Sequence, residues 1–114
     1  MFKSIRIRKN IMLLRQYEKH LLWFLNRAHD YRSLAKADKI VDRMCNVGKR
    51  IMKLADIDPS DFEDTEGGAI IYNAIDAYLS KEHELNVIEE ALLAADEEAW
   101  SFIESLEKEE REWA

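Results

Sequence analysis

The chain has 114 residues, of which 47% are hydrophobic and 35% charged, with a net charge of −6, a balance that supports one folded domain over residues 1–114 and excludes wholesale disorder. Three glycines and one proline are too few turning points for a β-sandwich or barrel, so the expected class is all-α: a small bundle of about four helices in two helical hairpins, with a long C-terminal helix. The charge is split: residues 1–53 hold 14 Lys/Arg and 4 Asp/Glu, whereas residues 54–114 hold 3 and 19, so a basic half precedes an acidic one.

The first ten residues admit three readings. Lys3 to Lys9 alternates like a short strand, and the same stretch suits a basic arm or an added helical turn. Asn10 is a candidate N-cap for a first helix of about 20 residues, in which Ile11, Leu14, Leu21, Leu25 and Ala28 recur at helical spacing. A second helix is expected after Ser33, with Leu34, Ala37, Val41, Met44, Gly48, Ile51 and Ala55 on its core face. Gly48 in its middle either weakens the helix by about 1 kcal/mol of propensity or marks a close approach of another helix.

That helix ends near Asp56, where the charge changes sign. Asp58 before Pro59 reads as the cap and first-turn proline of a short helical turn. Thr65 or Asp64 can cap a third helix through Ile70, Ile71, Ala74 and Ile75, with Gly67 and Gly68 packed closely in its first turn. Ser80 offers a cap for a fourth helix of about 30 residues, in which Leu85, Ile88, Leu92, Ala95, Ala99, Phe102, Leu106 and Trp113 follow a heptad. A helix that long outruns the core of one copy, which implies a homo-oligomer.

No apolar run approaches the ~18 residues of a membrane span. The positive N-terminus is not followed by an apolar signal core, and the lone Cys45 fits a reduced compartment, so the expected location is cytoplasmic and no membrane partner is expected.

Two surfaces invite function. Lys36, Lys39, Arg43, Arg50 and Lys53, spaced three, four, seven and three, share one narrow stripe on the second helix that could track phosphates, helped by Arg6, Arg8 and Lys9. The plainer reading is an ordinary solvated face, or one paired with an acidic helix of the same molecule. The fourth helix has the reciprocal design: Glu82, Glu89, Glu90, Asp96, Glu97, Glu104 and Glu107 form an acidic face that also holds Leu93 and Trp100. An indole among carboxylates is a candidate interface anchor, against the alternative that both apolar residues widen the core face. Trp23 on the first helix has polar neighbours, Gln16, Lys19, Asn26 and Arg27, and belongs at an edge, where it could stack on a base or anchor a partner, against the plainer reading of a half-buried boundary tryptophan.

Chemistry is sparse. His20, His29 and His83 are too scattered to pair on one helix, and with one cysteine no zinc site is expected. The acidic stretch from Asp56 lacks the glycine and the bidentate glutamate of a calcium loop: Asp61 and Gly67 stand at those positions. No cofactor and no metal are expected. Arg15-Gln-Tyr-Glu-Lys-His20 resembles the Arg-x4-6-His motif of HEPN ribonucleases, which implies an RNA-cleaving alternative resting on Arg15 and His20. Glu63-x-x-Glu66 and Glu104-x-x-Glu107 resemble half of the magnesium-binding pattern of MazG-type pyrophosphohydrolases, whose partner pattern is missing.

The reading these observations favour is a non-catalytic interaction protein. In its general character it resembles phage-encoded inhibitors of host defence and immunity proteins that mask basic nucleases, with the acidic helix capturing a basic partner surface. Nucleic-acid binding through the basic half is the alternative from a different class.

Overall fold

The computed structural model describes residues 2–113, which form four helices and no strand. They are α1 (Phe2–Arg27), α2 (Tyr31–Ala55), the single turn α3 (Pro59–Phe62) and α4 (Glu66–Trp113). The chain is all-α. Its packing divides it into two units, residues 1–82 and 83–114.

Residues 1–82 hold the core. α1 and α2 pack along each other as a helical hairpin, joined by residues 28–30. Leu14, Leu21 and Leu25 of α1 are buried with Leu34, Ala37, Val41, Met44, Val47 and Ile51 of α2 and with Phe62, Ile70, Ile71 and Ala74. The expected apolar face of α2 is the buried one, except that Ala55 is only half-buried.

The first ten residues are helical from Phe2, which settles the three readings. Ile7, Ile11 and Leu14 continue one helical face, so the alternation of apolar and basic residues is incidental to a 3.6-residue period. Asn10 therefore lies inside the helix and does not cap it: its side-chain amide donates to the Arg6 carbonyl at 2.7 Å. At the other end Arg27 donates from Nη1 to the Trp23 carbonyl at 3.1 Å, placing a cation where the helix dipole is negative.

The cap of α2 is Asp30, three residues before the expected Ser33. Asp30 is extended, and its Oδ1 accepts the Ser33 backbone N–H at 2.8 Å, so Ser33 supplies the donor and not the cap. This hydrogen bond holds the Asp30 carboxyl below the usual carboxylate range, helped by His29 and Arg32. The helix ends at Asp56 in the left-handed conformation, φ 53°, with Ile57 N–H donating to the Met52 carbonyl at 3.1 Å. Asp58 and Pro59 stand at the N-cap and first turn of α3 as expected, but the Asp58 side chain makes no capping hydrogen bond.

Thr65 starts α4. Its hydroxyl accepts the Gly68 N–H at 3.2 Å and donates to the Phe62 carbonyl at 2.6 Å. Gly48 is the approach point between α2 and α4, since a Cβ there would lie 2.6 Å from Ile71 Cδ1 and 3.4 Å from the Phe62 ring. Tyr78 of α4 also reaches α2: burial, together with Asp38, Glu82 and Asp42, pushes its hydroxyl pKa up.

Ser80 does not cap a new helix. α4 is continuous over 48 residues from Glu66 to Trp113, so the expected third and fourth helices are one and the second hairpin does not exist. The physical reason is that no glycine or proline follows Gly68, and Ser80 sits among residues that tolerate the helix interior at little cost. Residues 83–113 are all helical. Leu85 is buried, and from Asn86 to Glu112 every side chain is exposed.

Candidate functional site

In residues 83–113 the heptad forms an apolar arc about 120° wide at ~100° per residue, carried by Ile88, Ala91, Leu92, Ala95, Ala99, Phe102, Ile103 and Leu106. All of these are exposed, with Phe102 at 65%. Glu89, Asp96 and Glu107 run along one edge of the arc, and Glu90, Glu97 and Glu104 lie further round. Each of these six carboxylates is exposed. Leu93 and Trp100 are seated between the two acidic rows, and Trp100 is 65% exposed. The indole is thus outside any core, as is Leu93. Residues 83–114 carry 11 Asp/Glu and 2 Lys/Arg, so this surface is both apolar and strongly anionic.

The basic stripe of α2 is a different kind of surface. Lys36, Lys39, Arg43, Arg50 and Lys53 are all exposed, and within residues 2–82 none of them makes an ion pair. The stripe carries no large exposed apolar residue between its cations. It is an electrostatic ridge.

Trp23 and Arg8 were each expected to be available for contact, but the continuous row they share on the outer face of α1 was not. Ile5, Arg8, Met12, Lys19 and Trp23 fall within a sector of about 60°, opposite the buried Leu14, Leu21 and Leu25, and all five are exposed. The signal was present as spacings of three, four, seven and four, but it cannot be followed while residues 1–10 are left unassigned between strand, arm and helix. At the C-terminal end of this row the Arg27 guanidinium stacks 4.1 Å from the Trp23 ring centre, and Phe24 meets the same ring edge-on at 5.0 Å. An open pocket of about 520 Å³ adjoins them, lined by Lys19, His20, Trp23 and Phe24.

Among the described residues, the groups singled out as candidates for a reaction do not converge. Arg15 pairs with Glu66 of α4, while His20 faces the Trp23 pocket, so the two ends of the HEPN-like motif serve different contacts. Glu63 accepts a hydrogen bond from the Tyr72 hydroxyl at 2.6 Å, which raises the pKa of that phenol. Burial pushes the Cys45 thiol up, with Asp42 adding to the shift, which leaves it a poor nucleophile at neutral pH. No group of three or more metal-ligating side chains is found among the described residues, and no described helix is long and apolar enough to cross a membrane.

No protein-family model, curated protein or solved structure matches the chain.

Proposed function

We propose that the protein is a non-catalytic interaction module, an inhibitor or masking protein of the phage anti-defence or immunity kind, which binds a basic protein surface through residues 83–113. One observation carries this reading: every residue of a 120° apolar arc is exposed, and the arc is edged by carboxylates. Exposed apolar patches of this extent on a folded chain mark interaction sites, and the acidic edges would steer a basic partner and exclude acidic ones. Leu93 and Trp100 supply desolvated contact once the encounter has formed. The test is capture from the native host's lysate by the wild type and by Phe102→Glu. A basic protein retained by the first and lost by the second supports the reading, and equal retention by both refutes it.

Nucleic-acid binding through the α2 stripe is the second reading, favoured by five exposed cations without an ion-pair partner in residues 2–82. Its signature would be a mobility shift with DNA or RNA that weakens steeply with salt and disappears in the double variant Arg43→Glu, Arg50→Glu.

A further inference from the structure

We propose that a second copy of this chain is itself an occupant of the acidic helix: residues 83–113 of one molecule dock on the outer face of α1 in another. This rests on reading residues 83–113 as a binding surface, and it adds the identity of a partner. Three observations select α1. The first is charge. α1 carries 7 Lys/Arg and 1 Asp/Glu, and the one acid, Glu18, lies outside the sector of Ile5, Arg8, Met12, Lys19 and Trp23. Residues 83–114 carry 11 Asp/Glu and 2 Lys/Arg, so the two faces attract. Pairing two acidic helices with each other would set these carboxylates against themselves; in a parallel pair Glu84 would oppose Glu89 across the seam.

The second is apolar content. Covering a heptad arc requires apolar surface on the other side, and α1 offers exposed Ile5, Met12 and Trp23 within its cations. The α2 stripe offers cations alone. The third is length. Ile5 to Trp23 and Ile88 to Leu106 are both 18 residues apart, so each row is about 27 Å long at 1.5 Å per residue. The pocket beside Trp23 gives room for an aromatic anchor such as Phe102 at one end of the match. The contact is heterologous, joining different surfaces of the two copies, so it builds a closed ring or a chain of molecules according to the rotation between them.

The experiment uses the full chain. Sedimentation and light scattering would compare the wild type, an α1 variant (Arg8→Glu, Lys19→Glu) and an α4 variant (Asp96→Lys, Glu107→Lys), with circular dichroism to verify that each is helical. All four positions are exposed. The wild type should self-associate at low salt and weaken as salt rises. Each variant alone should associate at least about tenfold more weakly. Mixing the two variants should restore a complex, because one keeps the intact acidic helix and the other the intact α1 face. A wild type that stays monomeric at high micromolar concentration and low salt overturns the proposal, as does a mixture that behaves like its separate components. Association that strengthens with salt and survives the α1 variant would assign the arc to pairing between acidic helices instead. A monomer that still captures a basic host protein would leave the proposed function standing and remove only the second copy.

Discussion

Gly68 lies directly against the carbonyl of Phe62, so that a methyl group on its α-carbon would overlap that oxygen. The obstacle is backbone on both sides and has no flexible end to yield. Gly67, one residue earlier, faces side chains alone: the edge of the Phe62 ring, 3.3 Å from where a Cβ would stand, and Ile51 Cδ1 at 3.5 Å.

The two glycines should therefore respond oppositely to the same change. Gly68→Ala must shift α3 or the start of α4 and should cost about 2 kcal/mol or more, in the range of overpacking a closed core. Gly67→Ala needs the ring to give by a few tenths of an ångström and gains helix propensity of up to ~1 kcal/mol, so it should be close to neutral. Urea unfolding midpoints for the two variants check this.

Asp56 holds a left-handed backbone, φ 53°, with a side chain that offers a negative charge to the negative end of α2. Asp56→Gly removes both penalties and should stabilise the protein by up to about 1 kcal/mol. Thermal unfolding of the variant at neutral pH would show a higher midpoint.

Trp100→Ala should leave the unfolding midpoint of residues 1–82 within about 0.5 kcal/mol of wild type, since the ring is exposed and removes no core contact. Leu21→Ala, at a position with no exposure, should cost about 2 to 5 kcal/mol. A large stability loss for Trp100→Ala in a monomeric protein would end the interpretation of the acidic face as a binding surface.

The double variant Arg43→Glu, Arg50→Glu should change stability by less than about 0.5 kcal/mol, because neither guanidinium has an ion-pair partner within residues 2–82. A pronounced drop in thermal midpoint would instead reveal that the stripe is paired with the protein's own carboxylates.

Three side chains with shifted pKa values, Asp30, Tyr72 and Tyr78, contribute to the pH dependence of stability, as does the raised Cys45 thiol on the alkaline side. The Asp30 carboxyl is lowered by the Ser33 N–H, so its contribution is complete above the unfolded value near 3.9 and is lost as pH falls through the folded value. Tyr72, raised by its hydrogen bond to Glu63, and Tyr78, raised by burial, contribute fully below the unfolded value near 10 and lose that contribution as pH rises through their folded values. Asp30→Asn should flatten the acid limb while leaving the alkaline limb in place, as read from thermal midpoints across pH.

The core was legible wherever the apolar spacing was regular. The α2 face from Leu34 to Ile51 and the close approaches at Gly48, Gly67 and Gly68 follow from spacing and from the scarcity of glycine in the chain. Boundaries were harder, because they depend on which polar group wins a local competition. Ser33 has the chemistry of a cap, but its amide is taken by Asp30. Asn10 and Ser80 also have that chemistry, yet each sits where the helix on both sides is uninterrupted, and a capping side chain stops nothing unless the backbone turns there. The acidic face with Leu93 and Trp100 could be read directly from heptad arithmetic. The α1 row could not, because its first two members, Ile5 and Arg8, lie in a stretch whose period is ambiguous over so few residues.

From Asn86 to Glu112 no side chain is buried, so no burial in that stretch helps to keep its backbone hydrogen-bonded until another surface arrives. Most of a helix's stability in a protein comes from packing of its amphipathic face, and mass action stabilises whichever conformation a partner takes. Amide exchange along residues 86–112 should then slow as protein or ligand is added, while Leu21 and Met44 stay protected throughout. The segment would report its own occupancy, and a titration followed by ellipticity would trace a binding isotherm with no label attached.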